Sequence, residues 1–209
     1  MKIMIACPCF DAADVNFVQC LVGLQAVNAE CKIVFASSSL VYDARNSLVQ
    51  RAIAEKFDYI LWLDSDMTFE PTILKDLLAT KKNFVSGLCF TRRPPFRPTF
   101  FDKCGYVVDG DVQKPSVHCY WEYPKDSLFE VEAFGFGAVL TKVAPLKKII
   151  EKFGLPFTPV VGFGEDLSFC LRARECDYKL YTDSRVKCGH VAKLVINEAI
   201  FLNAKGENA

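Results

Sequence analysis

Short apolar runs alternate with amphipathic segments along the first ninety residues, and this alternation constrains the fold more than any other feature. The runs at 2–6, 32–36, 59–63 and 84–90 predict strands. Helical spacing predicts helices over 15–28, 42–57 and 71–80. Strand–helix alternation of this kind predicts a mostly parallel, doubly wound, Rossmann-like α/β sheet with helices on both faces.

The second half of the chain is predicted to mix β and α elements. Residues 92–98 contain three arginines and two adjacent prolines, which predict a loop. Short β pieces follow over 99–132, then a regular strand within 131–140. Helices are predicted at 145–153, 167–175 and 192–203, a strand at 179–182, and a strand or loop at 186–190. We therefore expect one domain over residues 1–209.

Composition excludes several classes of protein. The chain has 209 residues, enough for one well-packed domain, and its 25 Lys+Arg balance 25 Asp+Glu. Zero net charge argues against nucleic acid as a partner, and 51% hydrophobic residues argue against disorder. No apolar run reaches the roughly 18–20 residues of a membrane span, and no signal peptide is recognisable. We expect a cytoplasmic protein without a transmembrane segment, and the polar residues 205–209 are typical of a linker to further domains.

Ten cysteines are present, but no C-x-x-C pair occurs. Without a secretion signal, we expect reduced thiols that act as small buried apolar residues. The cluster formed by Cys170, Cys176, Cys188 and His190 has spacings that do not match a zinc finger or ribbon.

The first acidic motif is Asp64-Ser65-Asp66, directly after the continuous apolar run at 59–63. Ligands of open α/β sheets bind beyond the carboxyl ends of the strands, which is where this motif is predicted to lie. Two carboxylates there suit Mg²⁺ or Mn²⁺. The alternative interpretation is a turn in which an aspartate binds local amides.

The second acidic motif is Glu165-Asp166, which follows Gly162-Phe163-Gly164 and begins a predicted helix. One of these carboxylates could act as a general base. Alternatively, both simply favour the positive end of the helix dipole.

Three segments together resemble GT-A glycosyltransferases. DARNSLVQRAIAEKFDYILWLDSDMTF resembles the segment in which an Arg-Asn pair starts a helix and a D-x-D ends the next strand. GFGEDLSFCLRARECDYKLYTDSRVKCGH is similar to the superfamily's Glu-Asp helix, strand and histidine, and EAFGFGAVLTK resembles its acceptor-side strand. The similarity excludes roughly residues 93–130. It is closest in style to short, metal-dependent, family-2-like members, including those of phages and large DNA viruses.

The resemblance implies a metal site and a general base. Asp66 would coordinate Mn²⁺ or Mg²⁺ directly, Asp64 would do so through water or would contact the donor ribose, and His190 would be the last metal ligand. Asp166 would be the general base, with Glu165 beside it.

The resemblance also implies a donor site for a nucleoside-diphosphate sugar, with UDP-sugar as the donor class. Arg45 would lie near the base and Asn46 would support it, whereas Pro8 and Cys9 would border base and ribose. Two further donor-site residues are expected: Ser65, and Ser37 at the end of the second strand. Residues 1–92 would form the donor half, and 93–209 the acceptor and catalytic half.

The implied activity is transfer of a sugar to a hydroxyl of a glycan or a protein glycan. Two alternatives stay open at this point: a sugar nucleotidyltransferase, and a non-catalytic nucleotide- or glycan-binding module. The glycine-rich, arginine-containing loop expected of a nucleotidyltransferase is missing after the first strand. Arg92 and Arg93 are either phosphate contacts or part of a solvated basic loop.

Overall fold

A central seven-stranded sheet organises the chain in the computed structural model, which describes residues 1–193. The strands are β1 (Ile3–Cys9), β2 (Lys32–Ser37), β3 (Tyr59–Leu63), β4 (Met67–Thr68), β5 (Phe84–Leu88), β6 (Phe100–Asp109), β7 (Val112–Cys119), β8 (Leu128–Val131), β9 (Ala133–Phe134), β10 (Ala138–Lys142), β11 (Leu180–Lys187) and β12 (Gly189–His190). The helices are α1 (Val15–Val27), α2 (Val41–Ala54), α3 (Ile73–Ala79), α4 (Val143–Phe153) and α5 (Glu165–Glu175).

The order of the large sheet is β2-β1-β3-β10-β5-β11-β8. Strands β2, β1, β3, β5 and β11 run in one direction, and β10 and β8 run against them. A small sheet pairs β12 with β4, and another joins β7, β6 and β9. The predicted α/β class, a mostly parallel sheet with mixed β in the second half, is confirmed.

Two apolar cores cover the two faces of the large sheet. Residues Ile60 and Trp62 of β3 belong to the core that contains buried side chains of α2, α4 and α5. Leu61 and Leu63 point the other way, into the core shared with α1 and α3. Because β3 is covered on both faces, its sequence is apolar at every position rather than at alternate ones.

Several predicted boundaries were wrong. Strand β1 continues to Cys9, so Pro8 and Cys9 lie in the strand and not in the loop after it. The short β pieces expected after residue 99 are instead a long hairpin, β6–β7, whose Gly110-Asp111 turn places Gly110 at a φ of 62°. Helix α5 begins at Glu165, as the Glu165-Asp166 motif predicted and two residues before the range 167–175, and β11 is twice the predicted length. The predicted helix over 192–203 lies, from residue 194 onward, outside the described residues.

All ten cysteines are free thiols and eight of them are buried, as the sequence predicted. Cys170 and Cys176 belong to one core and Cys188 to the other, so the sheet separates them. Within residues 1–193, no helix is both long and apolar enough to cross a membrane.

Candidate functional site

The Asp64-Ser65-Asp66 motif forms the turn between β3 and β4, and three neighbouring segments hold its backbone. Asp64 donates its N–H to the carbonyl of Gly137 at 3.0 Å. Ser65 accepts a hydrogen bond from the N–H of Asp14 at 2.8 Å, and Asp66 accepts one from the N–H of Val191, also at 2.8 Å. The motif is therefore fixed to the residue before β10, to the N-cap of α1 and to the segment after β12.

Arg45 of α2 links the two acidic motifs. Its side chain is only 3% exposed, with Nη2 2.9 Å from Oδ1 of Asp64 and Nε 3.5 Å from Oε1 of Glu165. The guanidinium lies over the rings of Phe136 and Phe157, 5.3 and 5.9 Å from their centroids. Within the described chain, its Nε and Nη1 have no hydrogen-bond partner. A buried cation with free donors thus faces carboxylates more than a hundred residues apart in sequence.

His190 is brought to Asp66 by the pairing of β12 with β4, in which His190 lies opposite Met67. Its Nδ1 lies 2.9 Å from the carbonyl oxygen of Phe90, and its Nε2 lies 3.2 Å from Oδ2 of Asp66. Arg92 donates from Nη1 to the same oxygen of Asp66. Asp66 is thus contacted by two basic side chains, from β12 and from the loop after β5.

These contacts shift the pKa values of both Asp66 and His190. Burial alone would raise the pKa of Asp66, but the hydrogen bond and charge of His190, together with Arg92, hold it below its ordinary value. The hydrogen bond to Asp66 raises the pKa of His190, although burial opposes the change. Asp66 is therefore ionised across the neutral range.

Glu165 and Asp166 occupy the first turn of α5, where the helix dipole favours negative charge. Oδ1 of Asp166 accepts a hydrogen bond from the N–H of Leu167 at 2.7 Å. A Cβ on Gly135 would lie 3.5 Å from Oδ2 of Asp166 and 3.3 Å from Cβ of Thr99, so the glycine leaves room beside this carboxylate.

Two half-buried aspartates of the site, Asp64 and Asp166, have raised pKa values. Burial, followed by the negative charge of Glu165, raises the pKa of Asp166 to about 6. Burial also raises the pKa of Asp64, although the charge of Arg45 opposes the shift. Perturbed carboxyl groups in a cleft are typical of functional sites.

Two cavities meet at Ser65 and Asp66. One, of about 390 Å³, is lined by residues that include Pro8, Cys9, Arg45 and Glu165. The other, of about 620 Å³, lies on the side of α1, and its lining includes three basic residues: Arg92, Arg93 and Lys193.

Two residues predicted for the donor site are engaged elsewhere. Ser37 donates its hydroxyl to the carbonyl of Phe10 at the edge of the sheet. Asn46 is buried, and its Oδ1 accepts a hydrogen bond from the N–H of Phe157 at 3.0 Å. That bond ties α2 to the segment after α4, so Asn46 supports the position of Arg45 through the backbone.

The predicted metal ligands are only partly assembled. In residues 1–193, no three His, Cys, Asp or Glu side chains converge on one point, because Asp64 faces Arg45 while Asp66 faces His190 and Arg92. The side chains present, two carboxylates and an imidazole, are nevertheless suitable ligands for a hard divalent cation. The Nδ1 of His190 is engaged by a backbone carbonyl, as is usual for metal-binding histidines, which leaves Nε2 toward Asp66.

Sequence reasoning missed three contacts of this site. Two of them had no signal in the sequence, because they depend on tertiary packing: the ion pair of Arg45 with Glu165, and the contact of His190 with the carbonyl of Phe90. Arg92 did have one: it follows a predicted strand, at the edge of the sheet where ligands bind.

Comparisons with known proteins bear on the class and the fold of the chain. The Anp1 family model, which describes a glycosyltransferase-related family, matches residues 38–107, about a third of the chain. This segment includes Arg45 and the Asp64–Asp66 turn. No curated protein sequence matches the chain significantly.

Two solved structures have a similar fold. The crystal structure of A197 from STIV superposes with a TM-score of 0.60 at 16% identity, covering 92% of this chain and 87% of that one. The crystal structure of GalNAc-T7 with UDP, GalNAc and Mn²⁺ superposes with a TM-score of 0.54 at 12% identity. It covers 93% of this chain but 44% of GalNAc-T7, so this chain spans less than half of that protein. The fold is therefore similar to that of GT-A glycosyltransferases.

Proposed function

We propose that the chain is a glycosyltransferase of the GT-A type that moves a sugar from a nucleoside-diphosphate sugar to a hydroxyl of a glycan or protein glycan. The observation that carries the proposal is the ion-paired convergence of Asp64, Arg45 and Glu165, with Asp66 and His190 alongside. The Anp1 match over this segment supports the same class. The UDP, GalNAc and Mn²⁺ named with GalNAc-T7 favour a UDP-sugar donor and Mn²⁺ here.

Asp66 and His190, with Asp64 beside them in the same turn, are the residues that would hold Mn²⁺ or Mg²⁺. Such a cation acts as a Lewis acid that offsets the negative charge gained by the departing nucleoside diphosphate. His190 is held ready for this role by the carbonyl of Phe90, which orients its ring.

The donor half of the proposed enzyme is residues 1–92. Pro8 and Cys9 line the 390 Å³ cavity that ends at Asp64 and Asp66, and we assign the nucleoside to this cavity. Ser65, which lies between the two carboxylates, also lines this cavity. Ser37 lies at the end of the neighbouring strand β2. Arg45 holds Asp64 and Glu165 at the wall of this cavity through its ion pairs.

Asp166, in the acceptor and catalytic half of residues 93–209, is the proposed general base. Oδ1 is held by the N–H of Leu167, and Oδ2 lies beside Gly135. The acceptor oxygen attacks the anomeric carbon, the bond to the diphosphate breaks, and the acceptor proton moves to Asp166, which returns it to water. A pKa of about 6 leaves the group mostly ionised at neutral pH and still basic enough to accept this proton.

The test is nucleoside-diphosphate release from a panel of nucleotide sugars with Mn²⁺, using water or simple sugars as acceptors. We expect release from at least one donor. Asp166→Asn should lower kcat by about 10²- to 10⁴-fold while donor affinity changes less than about twofold. The matched control is Asp109→Asn, which removes an exposed carboxylate at the hairpin tip.

Other outcomes would contradict the proposal in distinguishable ways. Pyrophosphate release from a nucleoside triphosphate and a sugar phosphate would indicate a nucleotidyltransferase. Donor binding without turnover of any sugar would indicate a binding module. Full activity in Asp166→Asn would remove that residue as the base.

A further inference from the structure

Arg92 contacts the atom of Asp66 that the proposed cation needs. Its Nη1 donates to Oδ2 of Asp66, and the same oxygen lies 3.2 Å from Nε2 of His190. A divalent cation bound between Asp66 and His190 would bring a double positive charge against the guanidinium of Arg92. The two cannot share this oxygen without strong repulsion, so Arg92 has to leave when the cation arrives.

The backbone at Arg92 is fixed, whereas its side chain is free to move. Thr91 donates its N–H to the carbonyl of Arg97 at 2.9 Å, and Phe90 pairs with Pro98 across the base of the loop. The side chain of Arg92 is 53% exposed. A change of rotamer can therefore redirect the guanidinium without moving the chain.

The space for the displaced guanidinium lies next to Asp66. The cavity of about 620 Å³ on the α1 side is lined by Arg92 and also by Arg93 and Lys193. The lining also includes Asp11, Asp14 and Asp66, and a diphosphate bound to a cation at Asp66 would neighbour the three basic side chains of this cavity. Arginine suits such a ligand because its planar fork can bind two phosphate oxygens at once.

We propose that Arg92 is a diphosphate-binding residue: its guanidinium neutralises Asp66 in the donor-free protein and moves to the donor's diphosphate when the cation takes its place. This inference rests on the proposed function. It implies that Arg92 has two effects: it competes with the cation for Asp66, and it increases the affinity for the nucleotide. A merely structural role in the loop would produce neither.

The test is calorimetric titration of the whole chain, first with Mn²⁺ alone and then with UDP and GDP at saturating Mn²⁺. For Arg92→Ala we expect the Kd for Mn²⁺ to fall about two- to fivefold, because a competing ion pair is lost. The affinity for whichever diphosphate the wild type binds should fall about tenfold or more. Arg92→Lys should retain only part of the affinity for the diphosphate.

Arg97→Ala is the matched control, since Arg97 belongs to the same exposed loop but does not contact Asp66. It should change both affinities by less than about twofold. If the wild type binds Mn²⁺ and a nucleotide but Arg92→Ala behaves like Arg97→Ala, the inference is overturned and the proposed function stands. If the wild type binds neither Mn²⁺ nor any nucleotide, the proposed function fails and the inference with it. Tighter Mn²⁺ with unchanged nucleotide affinity would overturn the diphosphate contact.

Discussion

Burial determines how much it costs to leave a charged residue of this site without its partner. Arg45 is almost fully buried between Asp64 and Glu165, and removing one partner of such an arrangement costs about 3–5 kcal/mol. Asp166 has no direct cationic partner of this kind, and its carboxylate is beside Glu165. Asp166 is therefore, like Asp64, a residue at which the folded protein tolerates an unfavourable charge, and perturbed carboxyl groups of this kind suit a general base.

The raised pKa of Asp166 predicts how the stability of the folded chain changes with pH. The pKa of Asp166 is about 6 in the folded chain against an ordinary value of 3.8, so the folded state holds its proton more tightly than the unfolded state. As pH rises between these values, the unfolded carboxyl ionises first and the free energy of unfolding falls. Asp166→Asn should therefore raise the free energy of unfolding by about 1–3 kcal/mol near pH 7.5, with almost no gain near pH 4.

Urea denaturation with EDTA, at both pH values, measures this difference. Asp109→Asn is again the control, because Asp109 is exposed at the hairpin tip and its pair with Lys114 is a surface pair. A gain in Asp166→Asn that is equal at both pH values would show that the charge of Asp166 is not the cause.

The sequence predicted which carboxylates share the site but not how they are paired. Asp64 and Asp66 follow an apolar strand, and Glu165 begins a helix after a glycine pair, so their place at the edge of the sheet was predictable. The contact of Arg45 with Glu165 joins residues far apart in the chain, and no local pattern encodes it. Asn46 was expected at the donor, but its buried bond to Phe157 depends on the path of the chain after α4.

At the scale of elements, β10 is the strand whose place could not be read from its sequence. Its apolar run was predicted as a strand, but its position between β3 and β5, antiparallel to both, follows from the path of the chain through β6–β9. That insertion brings Gly137 against Met67, where a Cβ would lie 3.1 Å from the sulfur. The parallel strands, by contrast, were predictable because each is separated from the next by a helix.

The short pair β12–β4 is the element that positions His190, and Gly189 permits its close approach. A Cβ on Gly189 would lie well inside the van der Waals distance of Oγ1 of Thr68. Gly189→Ala should push β12 away from β4 and move His190 from Asp66. We expect Mn²⁺ affinity to fall about tenfold or more, as when the support of a metal ligand is disturbed.

The control is Gly105→Ala in β6, where a Cβ would meet no atom within 4 Å. Both variants place an alanine in a strand, so only the clash at position 189 distinguishes them. Calorimetry with Mn²⁺ should give Gly105→Ala an affinity within about twofold of the wild type. Equal Mn²⁺ affinities for the two variants would contradict the role of β12 in placing His190.

At the scale of the whole molecule, the balanced net charge conceals a local excess of acid. The chain carries 25 basic and 25 acidic residues, yet Asp64, Asp66, Glu165 and Asp166 gather at one edge of the sheet. Within the described residues, Arg45 and Arg92 are the arginines that pair with these four carboxylates. Four carboxylates against two arginines leave an excess of negative charge at this edge, to which a divalent cation is attracted.

The central claim is that this edge binds a nucleoside diphosphate through a divalent cation held at Asp66. Calorimetric titration of UDP into the wild type and Asp66→Asn, with Mn²⁺ and then with EDTA, tests it most directly. We predict UDP binding by the wild type with Mn²⁺, and a loss of about a hundredfold or more both in EDTA and in Asp66→Asn. Asp109→Asn should bind UDP like the wild type. UDP affinity that is the same with Mn²⁺ and EDTA, or unchanged by Asp66→Asn, would contradict the account.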